Sequence, residues 1–181
     1  MSPTGAGATR RAVLAGAAGL AGVATGCPRA PVAGGPRYET LEVDAGGVYR
    51  PGLRDETEEA FLAALVASEA AAAAFDLDAV PRPADRAFVR ETDFDAAFLA
   101  VVQVAGLNSS MVLRVVDVAS GRATLTVVVA VDDPTPHSDD RVVTTLLVRV
   151  RRDDAPVPDA VRVELSFDGR EVTFSGRRAT P

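Results

Sequence analysis

The stretch that decides the fold is Val161-Arg162-Val163-Glu164-Leu165-Ser166-Phe167-Asp168-Gly169-Arg170-Glu171-Val172-Thr173-Phe174. Val161, Val163, Leu165 and Phe167 alternate with Arg162, Glu164 and Ser166. That period of two lays one face of a strand on a core and the other in water. Asp168-Gly169 then separates this run from Val172-Thr173-Phe174. An Asp-Gly pair in that position predicts a two-residue hairpin, because a type I′ turn needs positive φ at both residues.

Further back, Arg122 to Val131 puts Ala123, Leu125, Val127, Val129 and Val131 on one face, while Arg122, Thr124 and Thr126 begin the other. Val142 to Val150 is rich in β-branched residues. Phe98 to Val104 is apolar on both faces, as a central strand would be, and Met111 to Val118 is similar. Tyr38 to Val43 alternates and suits a first strand. Short strands with turns every 8–12 residues predict a mainly β fold, an antiparallel β-sandwich or partly open barrel over residues 38–181. One or two short helices are expected near its N-terminal side, confined to residues 55–76, with strands only from residue 86 onward. Two readings stay open between 56 and 75. Acids at Asp55 to Glu59 and alanines at 70–74 suit one continuous helix. Alternatively, Ser68 caps a short helix starting at Glu69 and leaves Phe61 to Val66 as a strand.

The 181 residues allow one domain of ordinary size. A single cysteine excludes an internal disulfide, and 48% hydrophobic residues exclude a disordered chain. A net charge of -6 argues against a nucleic-acid partner. All 19 basic residues are arginine, and 16 of the 25 acids are aspartate. Such a lysine-free, acidic composition resembles that of proteins from extreme halophiles, where carboxylates keep the surface soluble in concentrated salt. A GC-rich genome that disfavours lysine codons gives the same pattern.

Residues 1–26 carry no acid, and their only charges are Arg10 and Arg11. An apolar run, Ala12 to Thr25, follows. As a helix it reaches about 21 Å, short of the roughly 30 Å of a bilayer core. Residues 1–26 therefore read as a signal peptide. Arg10-Arg11 resembles the twin-arginine export motif. Ala24-Thr25-Gly26-Cys27 resembles a lipobox, with Ala24 where a branched aliphatic residue is usual, and makes Cys27 the lipid-bearing first residue of the mature chain. Residues 27–37, with three prolines and two glycines, form a tether. The expected location is extracytoplasmic, on the outer face of the cell membrane.

Chemistry is sparse. No nucleophile elbow, zincin, Walker or dinucleotide motif occurs, so no catalytic residue and no cofactor is expected. His137 lies among Asp132, Asp133, Asp139 and Asp140, with prolines at 134 and 136. These four aspartates are the weak candidates for a metal, although their spacing is not that of an EF-hand; a solvated acidic loop is the simpler reading, and no metal is expected. Glu91, Asp93 and Asp95 share a face if their segment is a strand, with Phe94 and Phe98 as core anchors. Asn108-Ser109-Ser110 is a glycosylation sequon at Asn108, or an ordinary turn. Arg149, Arg151 and Arg152, with Arg177 and Arg178, more simply balance carboxylates than bind phosphate.

The run Arg90-Glu91-Thr92-Asp93-Phe94-Asp95, followed by the hydrophobic strand Phe98 to Val104 and four further strands, resembles small twin-arginine-exported lipoproteins of halophilic archaea. Its order is also distantly similar to the β-rich C-terminal domain of PrcB-type protease-complex subunits, over residues 60–166. The resemblance implies an accessory surface domain without catalytic residues, and a strand followed by a helix over 60–75. The expected function is a non-catalytic binding or accessory role, with another envelope protein or a small ligand as partner and the membrane reached through the lipid. The alternative is a surface hydrolase that uses carboxylates or His137.

Overall fold

The computed structural model describes residues 35–54, 58–135 and 138–180. Arg10, Arg11, Cys27 and His137 lie outside them. Eight strands form two four-stranded sheets. The first contains β1 (Tyr38–Asp44), β2 (Phe61–Val66), β3 (Ala97–Leu107) and β6 (Val142–Arg151), in the order β1-β6-β3-β2. The second contains β4 (Val112–Ser120), β5 (Thr124–Asp132), β7 (Ala160–Phe167) and β8 (Arg170–Arg177), in the order β4-β5-β7-β8. The fold is mainly β and sandwich-like, and the barrel is not closed. All pairings are antiparallel except β5 with β7, which are joined through β6 of the opposite sheet.

Burial follows the sequence pattern. The inter-sheet core is built by Phe98, Ala100, Val102 and Val104 of β3, Leu146, Val148 and Val150 of β6, and Leu125, Val127, Val129, Val161, Val163 and Leu165 of the second sheet. The other face of the first sheet is buried too. There Leu99, Val101 and Leu147 meet Val48, Tyr49, Phe75, Val80 and Val89 from the loops and helices. β3 and β6 are therefore buried on both faces, whereas β5 and β7 leave every second residue at least partly open to solvent.

The Asp168-Gly169 turn forms as the sequence predicts, with φ of 50° and 70°, and joins β7 to β8 directly. Between 56 and 75 the strand-then-helix reading holds, because β2 ends at Val66 and Ser68 accepts a hydrogen bond from the Ala71 amide to cap α1 (Glu69–Ala72). The confinement of helix to 55–76 does not hold, since α2 spans Pro83–Arg90. Its signals are physical and local. Pro83 has its φ preset for a first turn, Asp85 complements the N-terminal end of the dipole and Arg90 the C-terminal end.

Among the described residues three polar ones, Gln103, Thr144 and Thr145, are fully enclosed. Gln103 sits mid-strand on β3, where its Oε1 accepts from the Leu53 amide at 2.7 Å and its Nε2 donates to Thr145 Oγ1 at 2.9 Å. Thr145 in turn donates to the Ala45 carbonyl at 3.1 Å. The loop between β1 and β2 is thus tied to the sheet by satisfied buried bonds. Gly52 packs so closely on Gln103 Oε1 that a Cβ could not fit there.

Candidate functional site

Asp132 and Asp140, two of the four aspartates singled out in the sequence, have structural duties. Asp132 receives both Nε and an Nη of Arg114, at 2.7 and 3.0 Å, and this hydrogen bonding holds its pKa below the usual range. Asp140 accepts from the Ser109 amide at 3.0 Å, which lowers its pKa likewise. Asp139 is exposed, and Asp133 is exposed beyond the end of β5. Among the described residues no three His, Cys, Asp or Glu side chains come together as a metal site.

Glu91, Asp93 and Asp95 do not share a strand face. Glu91 ends α2, and Asp93 and Asp95 lie in the turn that precedes β3. Asp93 Oδ1 accepts from the Asp95 amide at 3.0 Å, and its carbonyl accepts from Ala96 and Ala97. The period-two reading failed because a side-chain-stabilised turn, not an extended segment, occupies these positions. Phe98 is a core anchor as expected, and Phe94 packs against the outer cluster. Asn108 uses its Oδ1 to accept from the Ser110 amide, Ser110 Oγ and the Met111 amide, so this sequon closes the turn into β4. Arg149 pairs with Glu39 and lies over the Phe88 ring. Arg178 pairs with Asp159 at 2.7 Å, and Arg152 donates to the carbonyls of Asp95 and Ala155.

The most perturbed acid is one the sequence reading passed over. Glu42 lies on β1 and points to the same side as Tyr38, toward the space between the sheets. Its carboxylate accepts from the amide of Leu113 on β4, across the gap separating the two sheet edges. Burial pushes its pKa up to about 7, against the lowering effect of the Leu113 bond, and Asp44 adds repulsion. Asp44 is raised as well, chiefly by burial, while a hydrogen bond from Thr144 opposes this. Alternation in Tyr38 to Val43 was legible. Which of its faces would be enclosed was not, because that depends on where β4 lies.

β1 and β4 border a groove of about 420 Å³ lined by Tyr38, Glu39, Thr40, Val112, Arg114, Val115 and Leu113, the residue whose amide bonds Glu42. A second hollow of about 500 Å³ lies at the far end of β4. There Gly35 and Pro36 face Asp117 to Ser120, with Phe98 among the lining residues and Arg151 and Arg152 at the rim. Val112 and Val116, both on β4, are the large apolar side chains left exposed among the described residues, at 46% and 37%. The arrangement offers backbone hydrogen-bonding groups and apolar side chains, with one carboxylate of raised pKa.

No protein-family model matches the chain, and no curated protein or solved structure matches it either.

Proposed function

We propose that this chain is a lipid-anchored extracytoplasmic β domain with a non-catalytic binding or accessory role at the outer face of the cell membrane. The observation that carries the binding role is the open cleft between β1 and β4, where strand edges and exposed valines face solvent. Free sheet edges and apolar patches are surfaces on which proteins recognise one another. The anchoring part rests on Arg10-Arg11 and on Cys27 directly after an apolar run. No described helix is long and apolar enough to cross a membrane. A lipid at Cys27 would hold the domain near other envelope proteins and raise their effective concentration.

The competing reading, a surface hydrolase, draws on one observation. A carboxyl group with a pKa near 7 is suited to general acid–base work at neutral pH. Against it, the Glu42 carboxylate is engaged by a backbone amide. A screen of the full chain in high salt against peptide, ester, glycoside and phosphate substrates separates the two. No turnover is expected. Turnover abolished by Glu42→Gln or His137→Ala would establish the hydrolase. For the anchor, Cys27→Ser is expected to release the protein from membranes, and intact mass of the native protein should show a lipid-modified N-terminal cysteine. An unmodified Cys27 still joined to Gly26 would refute the anchor.

A further inference from the structure

The two long sides of the sandwich are closed differently, and the β1–β4 side leaves strand edges facing a groove. β1 and β4 are both edge strands, and among the described residues neither pairs with a strand on its outward side. Their approach runs antiparallel, since Glu42 meets Leu113 while residues 35–36 lie opposite 117–120. The Leu113 amide faces away from β5. Because bonding direction alternates along an antiparallel strand, the Val115 amide two residues on faces the same side. The extra residue of the β4 bulge, between Val115 and Asp117, comes only after these two positions. A short row of backbone groups is thus presented to the groove, and the Glu42 carboxylate occupies the place on Leu113 that a neighbouring strand's carbonyl would take.

We propose that this groove receives an extended segment of a partner protein, apolar at alternate positions and carrying a basic side chain, which adds to β4 as a fifth strand and takes the Leu113 amide from Glu42. The inference rests on the binding role proposed above and names its site and ligand class. Backbone complementarity supplies the strand, since an added strand bonds through its main chain and is selected through alternate side chains. One set of alternate side chains would meet Val112 and Val116, and the other the groove floor at Tyr38 and Val115. Charge complementarity supplies the basic residue. Once displaced, Glu42 is a carboxylate next to the Leu113 amide with no cation of the described residues beside it, since Glu39, on the other face of β1, pairs with Arg149, and Arg114 at the groove pairs with Asp132. A second copy of this chain fits less well, because it would bring another surface of net negative charge against these acids.

The test is selection from a random 12-residue peptide library on the immobilised full chain, followed by amide-exchange mapping of the peptides enriched. Enriched peptides are expected to alternate apolar residues and to carry arginine or lysine. Their binding should slow exchange at Leu113 and Val115. N-methylation of peptide amides facing β4 should weaken binding by about tenfold or more, while methylation at the intervening residues should not. Glu42→Gln should weaken the basic peptides by about fivefold and leave analogues with the basic residue replaced by glutamine unchanged. The proposal is overturned by failure to enrich any peptide, by protection confined to other strands, by indifference to the methylation register, or by concentration-dependent self-association through β4. Any of these results without substrate turnover would leave the non-catalytic reading standing, whereas turnover would remove that reading itself.

Discussion

The β2–β8 side of the sandwich is zipped, whereas on the β1–β4 side a side-chain hydrogen bond from Glu42 to the Leu113 amide spans a more open gap. On the zipped side the Phe61 and Phe174 rings stack with centroids 5.1 Å apart, and the Ala179 amide bonds the Leu65 carbonyl at 2.7 Å. A parallel bridge joins Leu65 to Arg178. Gly176 lies so close to Ala63 that a Cβ would collide with the Ala63 carbonyl. On the open side the sheets are linked by the Glu42–Leu113 hydrogen bond, in a setting that disfavours the charge on Glu42. Both sides belong to one core, yet one stores stability in packing and the other keeps backbone groups within reach of solvent. A sandwich zipped on both sides would leave no such strand edge open.

The comparison breaks most visibly at Gly176. Replacement by alanine pushes β8 off β2, because the obstacle is backbone and cannot rotate away. A loss of about 3 kcal/mol or more is expected, larger than common overpacking costs, read as a lowered denaturant midpoint with the slope unchanged. Stability equal to that of the unaltered protein would show that the closed side is not closed by this contact.

The open side sharpens under pH. Glu42 moves from an ordinary 4.5 to about 7 on folding. Between those values the folded state holds a proton that the unfolded state has lost, so stability falls as pH rises through this window and levels off above it. Asp44, also raised, adds a slope of the same sign. Glu42→Gln keeps an acceptor for the Leu113 amide and removes the charge. It should therefore stabilise the protein at pH 8 by about 1–2 kcal/mol, allowing for screening of a partly exposed group, and have little effect at pH 4. Unfolding curves at the two pH values check this, and a variant less stable at pH 8 would contradict it.

The hairpin that delivers β8 to the zipped side was fully legible, and Gly169→Val is expected to cost about 1 kcal/mol or more because a β-branched residue resists the positive φ found there. An unchanged melting temperature would count against that turn as a constraint. The strands were legible for the same reason, since β5 and β7 alternate and β3 and β6 run largely apolar on both faces. Pairing was not legible. Nothing local in Thr124 to Asp132 announces a parallel neighbour in β7, and the association of β2 with β8 depends on residues more than a hundred positions apart. α2 had readable signals at Pro83, Asp85 and Arg90, but Phe88 and Val89 beside the strand-like residues that follow drew the reading toward sheet. The site was the least legible part. The acid-rich stretches carry the more conspicuous pattern, yet Asp93 and Asp140 hold turns and Asp132 an ion pair, while Glu42 has the pattern of any polar residue of an alternating strand.

The smallest expected effect lies at the rim of the open side. Arg114 and Asp132 form a two-point ion pair between β4 and β5, with both side chains about half exposed. Exposed pairs typically contribute less than about 1 kcal/mol, since water and salt already screen the charges. Arg114→Ala should therefore lower stability by about 0.5 kcal/mol at low salt, and by less in molar salt. The whole protein should show the opposite trend. From Cys27 onward 17 arginines face 25 acids, so repulsion within the acidic surface opposes folding most at low ionic strength. Denaturation of both proteins at millimolar and molar salt distinguishes the local effect from the global one. If the unaltered protein is equally stable in both, its lysine-free composition reflects codon usage rather than adaptation to salt. If Arg114→Ala costs several kcal/mol, the pair is a structural clasp, and the free edge of β4 depends on it.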